Sequence, residues 1–97
     1  MEKVKFKIEV VPAAAIMGMP EFNGTRRIVL AKIKTIDNDP TVISMVVLAY
    51  DGAAVMEWVT WRAYTTPKGD IDFESGNYFG SFSEAMYDLG ERMLIYF

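Results

Sequence analysis

The chain has 97 residues, of which 52% are hydrophobic and 13% aromatic, and its formal net charge is −3. This composition excludes an intrinsically disordered chain, because such chains lack the apolar surface that offsets the entropy lost on ordering. The length predicts a single domain, residues 1–97, with one hydrophobic core. The charge is unevenly distributed: residues 1–36 hold seven basic and three acidic side chains, whereas residues 37–97 hold three basic and ten acidic ones.

The sequence contains no histidine and no cysteine. It therefore lacks the commonest general base, the commonest metal ligands and the most reactive nucleophile. No G-x-S-x-G, S-x-x-K, G-x-x-x-x-G-K or G-x-G-x-x-G motif is present. We therefore expect a protein that is not an enzyme and that has no catalytic, cofactor-binding or metal-binding residues.

The N-terminal stretch alternates lysines with apolar residues, which differs from the continuous apolar segment of a secretory signal. No apolar run reaches the ~18 residues that a membrane-spanning helix requires. We expect a cytoplasmic protein without membrane contact, from a bacterium or from a genetic element that parasitises a cell.

The first half of the chain predicts two strands separated by a loop. Residues 3–10 alternate strictly, which places Val4, Phe6, Ile8 and Val10 on the core and three lysines in water. Residues 26–36 favour a strand because they are rich in isoleucine and valine, although their apolar residues also fit a helical stripe. The loop between them, residues 12–25, is unusually apolar, and it either plugs an open end of the sheet or exposes binding anchors. Its apolar anchors are Ile16, Met17, Met19 and Phe22.

Three further strands follow, bounded by turn residues. Residues 41–50 form a nearly continuous apolar run, which predicts a central strand buried on both faces. Turns at residues 37–40, 51–52 and 67–70 separate it from strands at residues 55–66 and 71–79. The last two strands have two possible registers. A turn with an odd number of residues brings Trp61 and Ala63 together with Phe73 and Ile71. A turn with an even number brings Arg62 and Tyr64 together with Phe73 and Ile71 instead.

Residues 81–97 form the one convincing helix. Ser81 and Glu84 fit a capping box, so the helix is expected to begin at Phe82. Its apolar positions recur at steps of four and three residues, which makes one stripe that must be buried. We therefore predict an α+β fold, a mostly antiparallel sheet of four to five strands with this C-terminal helix packed on a face. The stripe comprises Phe82, Met86, Leu89, Met93 and Tyr96.

Two rows of carboxylates lie in the acidic half of the chain. On the helix, Glu84, Asp88 and Glu91 are expected to face away from most of the stripe, with Arg92 as a partial partner of Asp88. On the last strand, Asp70, Asp72 and Glu74 resemble the start of a calcium loop. The sixth position of that loop is Ser75 instead of glycine and the twelfth is Ser81 instead of glutamate, so the row reads as a solvated strand face.

Two other surfaces are candidates for binding. If the Val59 and Trp61 side of the fourth strand meets the helix, its other side exposes Trp58, Arg62 and Tyr64, residue types enriched in interface hot spots. Core and edge packing of both tryptophans is the alternative. If the first two strands are neighbours, their basic residues form one face suited to phosphates, although no aromatic residue lies among them to stack a base. These residues are Lys3, Lys5, Lys7, Arg26, Lys32 and Lys34.

A resemblance to known proteins is carried by three stretches of the second half of the chain. They are Trp58-Val59-Thr60-Trp61-Arg62, Gly76-Asn77-Tyr78-Phe79 and the helix from Ser81 to Arg92. Over residues 55–93 the chain resembles small uncharacterised proteins of phages and mobile elements in Gram-positive bacteria. Those proteins carry a V-T-W strand and a helix of the form S-x-E-A-x-x-D-x-x-x-R, and many have tryptophan or histidine near the position of Asn77. The resemblance implies a similar origin and transfers no activity.

We therefore expect a small protein-binding module of phage or mobile-element type. Its sharpest form is an inhibitor of a host defence nuclease whose carboxylate rows stand in for phosphates. The alternative is a nucleic-acid-binding module that uses the lysine face, which the acidic composition disfavours. Self-pairing of an edge strand would also allow a homodimer.

Overall fold

The structure is a computed structural model that describes the backbone of residues 6–36 and 39–96 and the side chains of residues 8–34 and 44–94. It contains strands β1 (Phe6–Pro12), β2 (Phe22–Asn23), β3 (Arg26–Ile36), β4 (Asp39–Tyr50), β5 (Trp58–Thr65) and β6 (Ile71–Phe79) and helix α1 (Phe82–Tyr96). A short 3₁₀ turn, Ala13–Ala15, follows β1. Lys3, Lys5 and Val4, the side chains of Phe6 and Lys7, and the turn at Asp37 and Asn38 lie outside the described residues.

All the strands belong to one antiparallel sheet in the order β1-β3-β4-β5-β6, with the two-residue β2 beside β3. The single helix of the described chain packs on this sheet, which confirms the predicted α+β class. Residues 26–36 form a strand, as preferred over a helix, because both of their edges are paired. In that part of the chain no helix has both the length and the apolarity needed to cross a membrane.

Helix α1 covers one face of the sheet, above β4 and β5. Leu89 and Met93 of its apolar stripe are buried against Val46 and Leu48 of β4. At the start of α1 the ring of Phe82 lies against that of Trp58, with the centroids 5.0 Å apart. The described residues of the predicted stripe therefore face the sheet, and the Trp58 side of β5 is the side that meets the helix. The condition that would have exposed Trp58 is not met.

The opposite face is covered by the loop between β1 and β2. Ala13 and Ile16 of this loop join the core cluster that includes Val59, Trp61 and Met45. The loop reaches the β5–β6 turn, since a Cβ added at Gly18 would lie 3.0 Å from the carbonyl oxygen of Gly69. Loop residues thus form a second cover, in place of a plug at one end of the sheet.

The predicted apolar anchors of this loop differ in how far they are buried. Ile16 is buried and Met19 packs against the core, whereas Met17 is 94% exposed and Phe22 is about half-exposed. Phe22 instead stacks under the guanidinium of Arg27, 5.7 Å from its ring centroid.

Replacing Gly18 with alanine tests the loop cover. Gly18 has φ +80°, a left-handed conformation that costs an L-residue about 1–2 kcal/mol. Its added methyl also meets a backbone oxygen, and such overpacking costs about 1 kcal/mol or more. Gly24 is the matched control, because it has φ +64° and nothing within 4 Å of an added Cβ. Urea denaturation should show a larger loss of unfolding free energy for Gly18→Ala than for Gly24→Ala. Equal losses would show that the loop does not press on the β5–β6 turn.

The burial predicted for Ile8 and Val10 of β1 is wrong. Ile8 and Val10 are 48% and 50% exposed, while Val11 packs against the core on the other face. Ile8 pairs with Lys34 and Val10 with Lys32, so this pair lies on the same face as α1. The helix packs mainly on β4 and β5 and less on β3, so Ile8 and Val10 stay half-exposed beside it.

The register of β5 and β6 follows the odd turn. Thr65 pairs with Ile71 and Ala63 with Phe73, so Trp61 shares a face with Phe73, and their ring centroids are 5.7 Å apart. A bulge at Ser75 and Gly76 interrupts the pairing, with Ser75 at φ 57°. Gly76 lies under Trp61, because a Cβ there would be 2.9 Å from the indole nitrogen.

Candidate protein-binding surface

A groove lies where α1 meets the end of β6. Its volume is about 380 Å³. Three of its six lining residues are the carboxylates of the predicted helix row, and two are aromatic. It is lined by Phe79, Ser83, Glu84, Tyr87, Asp88 and Glu91. We refer to these six residues as the acidic groove.

The first turn of α1 fixes one end of the acidic groove. The Ser81 hydroxyl oxygen accepts a hydrogen bond from the backbone N–H of Glu84, at 3.3 Å. The same hydroxyl donates to the Glu84 carboxylate, at 3.1 Å. The side chain of Glu84 is therefore held beside the helix start, where the positive end of the helix dipole favours a negative charge.

Asp88 differs from the prediction for the helix row, because its side chain is only 18% exposed. It accepts hydrogen bonds from the Thr60 hydroxyl at 2.5 Å and from the Asn77 amide at 3.2 Å. It also pairs with Arg92 Nε at 3.1 Å, the partner that the sequence indicated. Asp88 points toward the sheet because buried Thr60 and the bulged β6 offer donors there. It is a structural anchor at the floor of the acidic groove.

Arg92 completes this network from the next turn of α1. Its side chain is 6% exposed, and its Nη2 group donates to the backbone carbonyl of Ser75 at the β6 bulge. Its Nη1 group has no hydrogen-bond partner in the described part of the chain. A buried guanidinium with one acid partner depends strongly on that acid, because removing it leaves an uncompensated charge.

The acidic groove therefore exposes mainly the charges of Glu84 and Glu91. Since Arg92 neutralises Asp88, the row predicted from the sequence contributes two open carboxylates. Between them Tyr87 is 71% exposed, a high value for an aromatic side chain in a helix. An exposed ring flanked by two carboxylates can contact apolar stems and cationic heads of the same lysine or arginine side chain.

The acidic row of β6 lies on the sheet next to this helix. Asp72 pairs with Tyr64 and Glu74 with Arg62, and all three acids of the row are exposed. Glu74 forms an ion pair with Arg62 at 3.3 Å, with both side chains about 40% exposed. Because Arg62 compensates the negative charge of Glu74, Asp70 and Asp72 carry most of the uncompensated negative charge of this row.

The predicted Trp58, Arg62 and Tyr64 surface is divided by the helix. Trp58 is sandwiched between Phe82 and Tyr50, whose ring centroid is 4.5 Å away. Arg62 and Tyr64 remain partly exposed farther along β5. Trp58 is therefore a packing residue, whereas Arg62 and Tyr64 border the β6 acids.

Of the described members of the basic face, Lys32 and Lys34 lie together on β3, whereas Arg26 lies apart from them. Arg26 donates to the carbonyl oxygens of Met56 and Glu57 and lies over the ring of Tyr78, at the opposite end of the sheet. Lys32 lies beside α1, since a Cβ added at Gly90 would be 3.8 Å from its amine, and Lys34 follows two residues later on β3. Arg26 thus braces the β4–β5 loop.

Asp51 in that same loop is the one described group whose pKa clearly shifts. The backbone N–H of Ala53 and the hydroxyl of Thr25 both donate to its carboxylate at 2.9 Å. These two bonds hold the pKa of Asp51 below its usual value, with the Ala53 bond the larger cause. The carboxylate ties the β2–β3 turn to the β4–β5 loop.

Sequence reasoning did not identify Tyr87, Phe79 and Ser83 as parts of the acidic groove. The signal for Tyr87 was available, because it is an aromatic residue off the apolar stripe and between two acids of the helix row. The roles of Thr60 and Asn77 depend on the β5–β6 register and on the bulge, which local patterns do not fix. Among the described residues, no group of three or more acids is placed to hold a metal ion.

No protein-family model matches the sequence, and comparisons with curated proteins and with solved structures gave no match either.

Proposed function

We propose that this chain is a non-enzymatic protein-binding module and that its partner presents a basic surface to the acidic groove. The observation that carries this proposal is the exposed Tyr87 ring between the open carboxylates of Glu84 and Glu91. Tyrosine is enriched in interface hot spots, and complementary charge steers a partner and fixes its orientation. Asp88 and Arg92 support the proposal by holding this part of α1 rigidly on the sheet.

The sharpest form of the proposal names the partner's chemistry. Carboxylates can occupy arginine and lysine sites that normally hold phosphates. We therefore propose that the chain comes from a phage or mobile element and that its target is the nucleic-acid channel of a host defence nuclease. The carboxylates of Asp70, in the β5–β6 turn, and Asp72, on β6, extend the negative surface beyond the helix.

Site-specific photo-crosslinking tests where a partner binds. A photoreactive phenylalanine analogue replaces Tyr87 in one variant and the 96%-exposed Val55 in another. In lysate of a bacterial host, we expect a specific adduct from position 87 and none from position 55. An adduct from position 55 alone, or from neither position, would contradict the proposal.

Charge reversal of the open carboxylates tests the electrostatic part. Glu84→Lys/Glu91→Lys should weaken binding of the purified crosslinked protein by at least roughly tenfold, mainly through unfavourable charge contacts. Asp88 is left intact because it holds the fold. Asp70→Lys/Asp72→Lys is the matched control, since it changes the net charge equally but at the start of β6 and the turn before it. Titration calorimetry should show a smaller loss for the control, and equal losses would indicate only general electrostatic attraction.

Nucleic-acid binding is the alternative, and a gel shift separates it from the main proposal. Labelled double-stranded DNA bound at low salt, and released steeply as salt rises, would indicate the lysine-based module. We expect no shift, because the acidic groove repels phosphates.

A further inference from the structure

Strand β1 leaves an apolar surface uncovered at one edge of the sheet. In the described chain, β1 pairs only with β3, so its outer edge carries no neighbouring strand. Ile8 and Val10, about half-exposed, lie on the face that α1 covers elsewhere. An exposed edge strand with apolar side chains is a template for pairing with another strand.

The backbone restricts how β1 can pair with a second copy of itself. In an antiparallel strand, alternate residues direct both of their hydrogen-bonding groups to the same neighbour. Two identical strands related by a twofold axis can therefore form hydrogen bonds only when the axis passes between a residue and its own copy. Each even-numbered residue then lies opposite an even-numbered one, and each odd-numbered residue opposite an odd-numbered one. Below, an axis at a residue means an axis between that residue and its copy. Registers with the axis between two successive residues are excluded. They would place a residue whose N–H and C=O groups point to the free edge opposite one whose groups point to β3.

The sequence of β1 discriminates among the registers centred on Lys7, Ile8 and Glu9. An axis at Lys7 opposes Lys7 to its own copy, and an axis at Glu9 opposes Glu9 to its own copy. Like charges directly opposite each other destabilise a strand pair. An axis at Ile8 opposes Lys7 to Glu9 twice, once on each side of the axis. It also opposes Ile8 to Ile8 and Val10 to Phe6, so one face of the pair is a ladder of apolar positions.

We propose that two copies of this chain associate through antiparallel pairing of β1 with Ile8 on the twofold axis. The partner is a second copy because the register that suits the backbone also matches charge with charge and apolar residue with apolar residue. The two sheets then continue into one, and the edges that would otherwise invite open-ended pairing are closed against each other. This interface is separate from the acidic groove.

Analytical ultracentrifugation with charge swaps tests this register. The wild-type protein is expected to show a monomer–dimer equilibrium that shifts with concentration. Lys7→Glu places glutamate opposite Glu9, and Glu9→Lys places lysine opposite Lys7, so each variant alone should be monomeric. An equimolar mixture of the two variants should form a heterodimer, because opposite charges then face each other at both positions. The double variant Lys7→Glu/Glu9→Lys should dimerise again for the same reason.

Lys68→Glu and Asp70→Lys are the matched controls, since they make equal charge changes in the exposed β5–β6 turn. Both should dimerise as the wild type does. A wild-type protein that stays monomeric at its highest soluble concentration would refute the proposal. Single variants that still dimerise, or a mixture and a double variant that both remain monomeric, would refute the Ile8-centred register. If a single variant folds poorly, the double variant still tests the Ile8-centred register.

Discussion

Replacing Asp88 with alanine is expected to lower the free energy of unfolding by about 3–5 kcal/mol, the usual cost of removing one partner from a buried ion pair. The Arg92 guanidinium, already without a described partner at Nη1, would lose the only acid that contacts it in the described structure. The buried Thr60 hydroxyl would lose its acceptor as well. Urea denaturation followed by circular dichroism measures the loss.

Two companion variants make this prediction specific. Glu91→Ala removes an exposed carboxylate from the same helix, and its effect should stay within about 0.5 kcal/mol. Thr60→Val/Asp88→Leu/Arg92→Met replaces the network with apolar groups and should recover most of the lost stability, because no buried charge or hydroxyl is then left unpaired. If Asp88→Ala costs no more than Glu91→Ala, Asp88 is a solvated acid, as its sequence position alone suggests.

Replacing Trp61 with alanine is expected to cost about 3–5 kcal/mol, as for large aromatic residues in a core. Trp61 is 9% exposed and packs against Phe73 and over Gly76, on the face that has no helix. The variant therefore tests whether the face covered by the loop is packed as tightly as the face covered by α1. The midpoint of urea unfolding should fall strongly.

Tyr87→Ala is the control for Trp61→Ala, since it also removes an aromatic ring but from an exposed position. Its effect on the free energy of unfolding should be within about 0.5 kcal/mol. A loss below about 1 kcal/mol for Trp61→Ala, far under the usual cost for a core aromatic residue, would show that the loop-covered face is not a packed core.

Local patterns in the sequence were sufficient for the class of the fold and for most of its elements. Helix α1 begins at Phe82 as its capping residues indicate, and residues 26–36 form the preferred strand. The burial of β1 was not predictable in the same way. Alternation shows that Ile8 and Val10 share a face, but whether the helix reaches that face depends on its position over the sheet.

The candidate site shows the same limit. The helix row of acids lines one groove, as its spacing of three and four residues favours. Which of its members is exposed depends on what lies beneath. Asp88 turns inward because Thr60 of β5 and Asn77, which follows the bulge in β6, donate to it from the sheet. The register between two strands and a single inserted residue cannot be read from the periodicity of either strand.

The two covers of the sheet differ in when they become available during synthesis. Ala13 and Ile16, which cover one face, precede the central strand in the chain, so this face can close as soon as β5 and β6 emerge. The helical cover of Val46 and Leu48 follows every strand of the sheet. Because chains are made from the N-terminus, the nascent sheet holds one apolar face open until Leu89 and Met93 leave the ribosome. Until α1 has emerged, this open apolar face can associate with other chains.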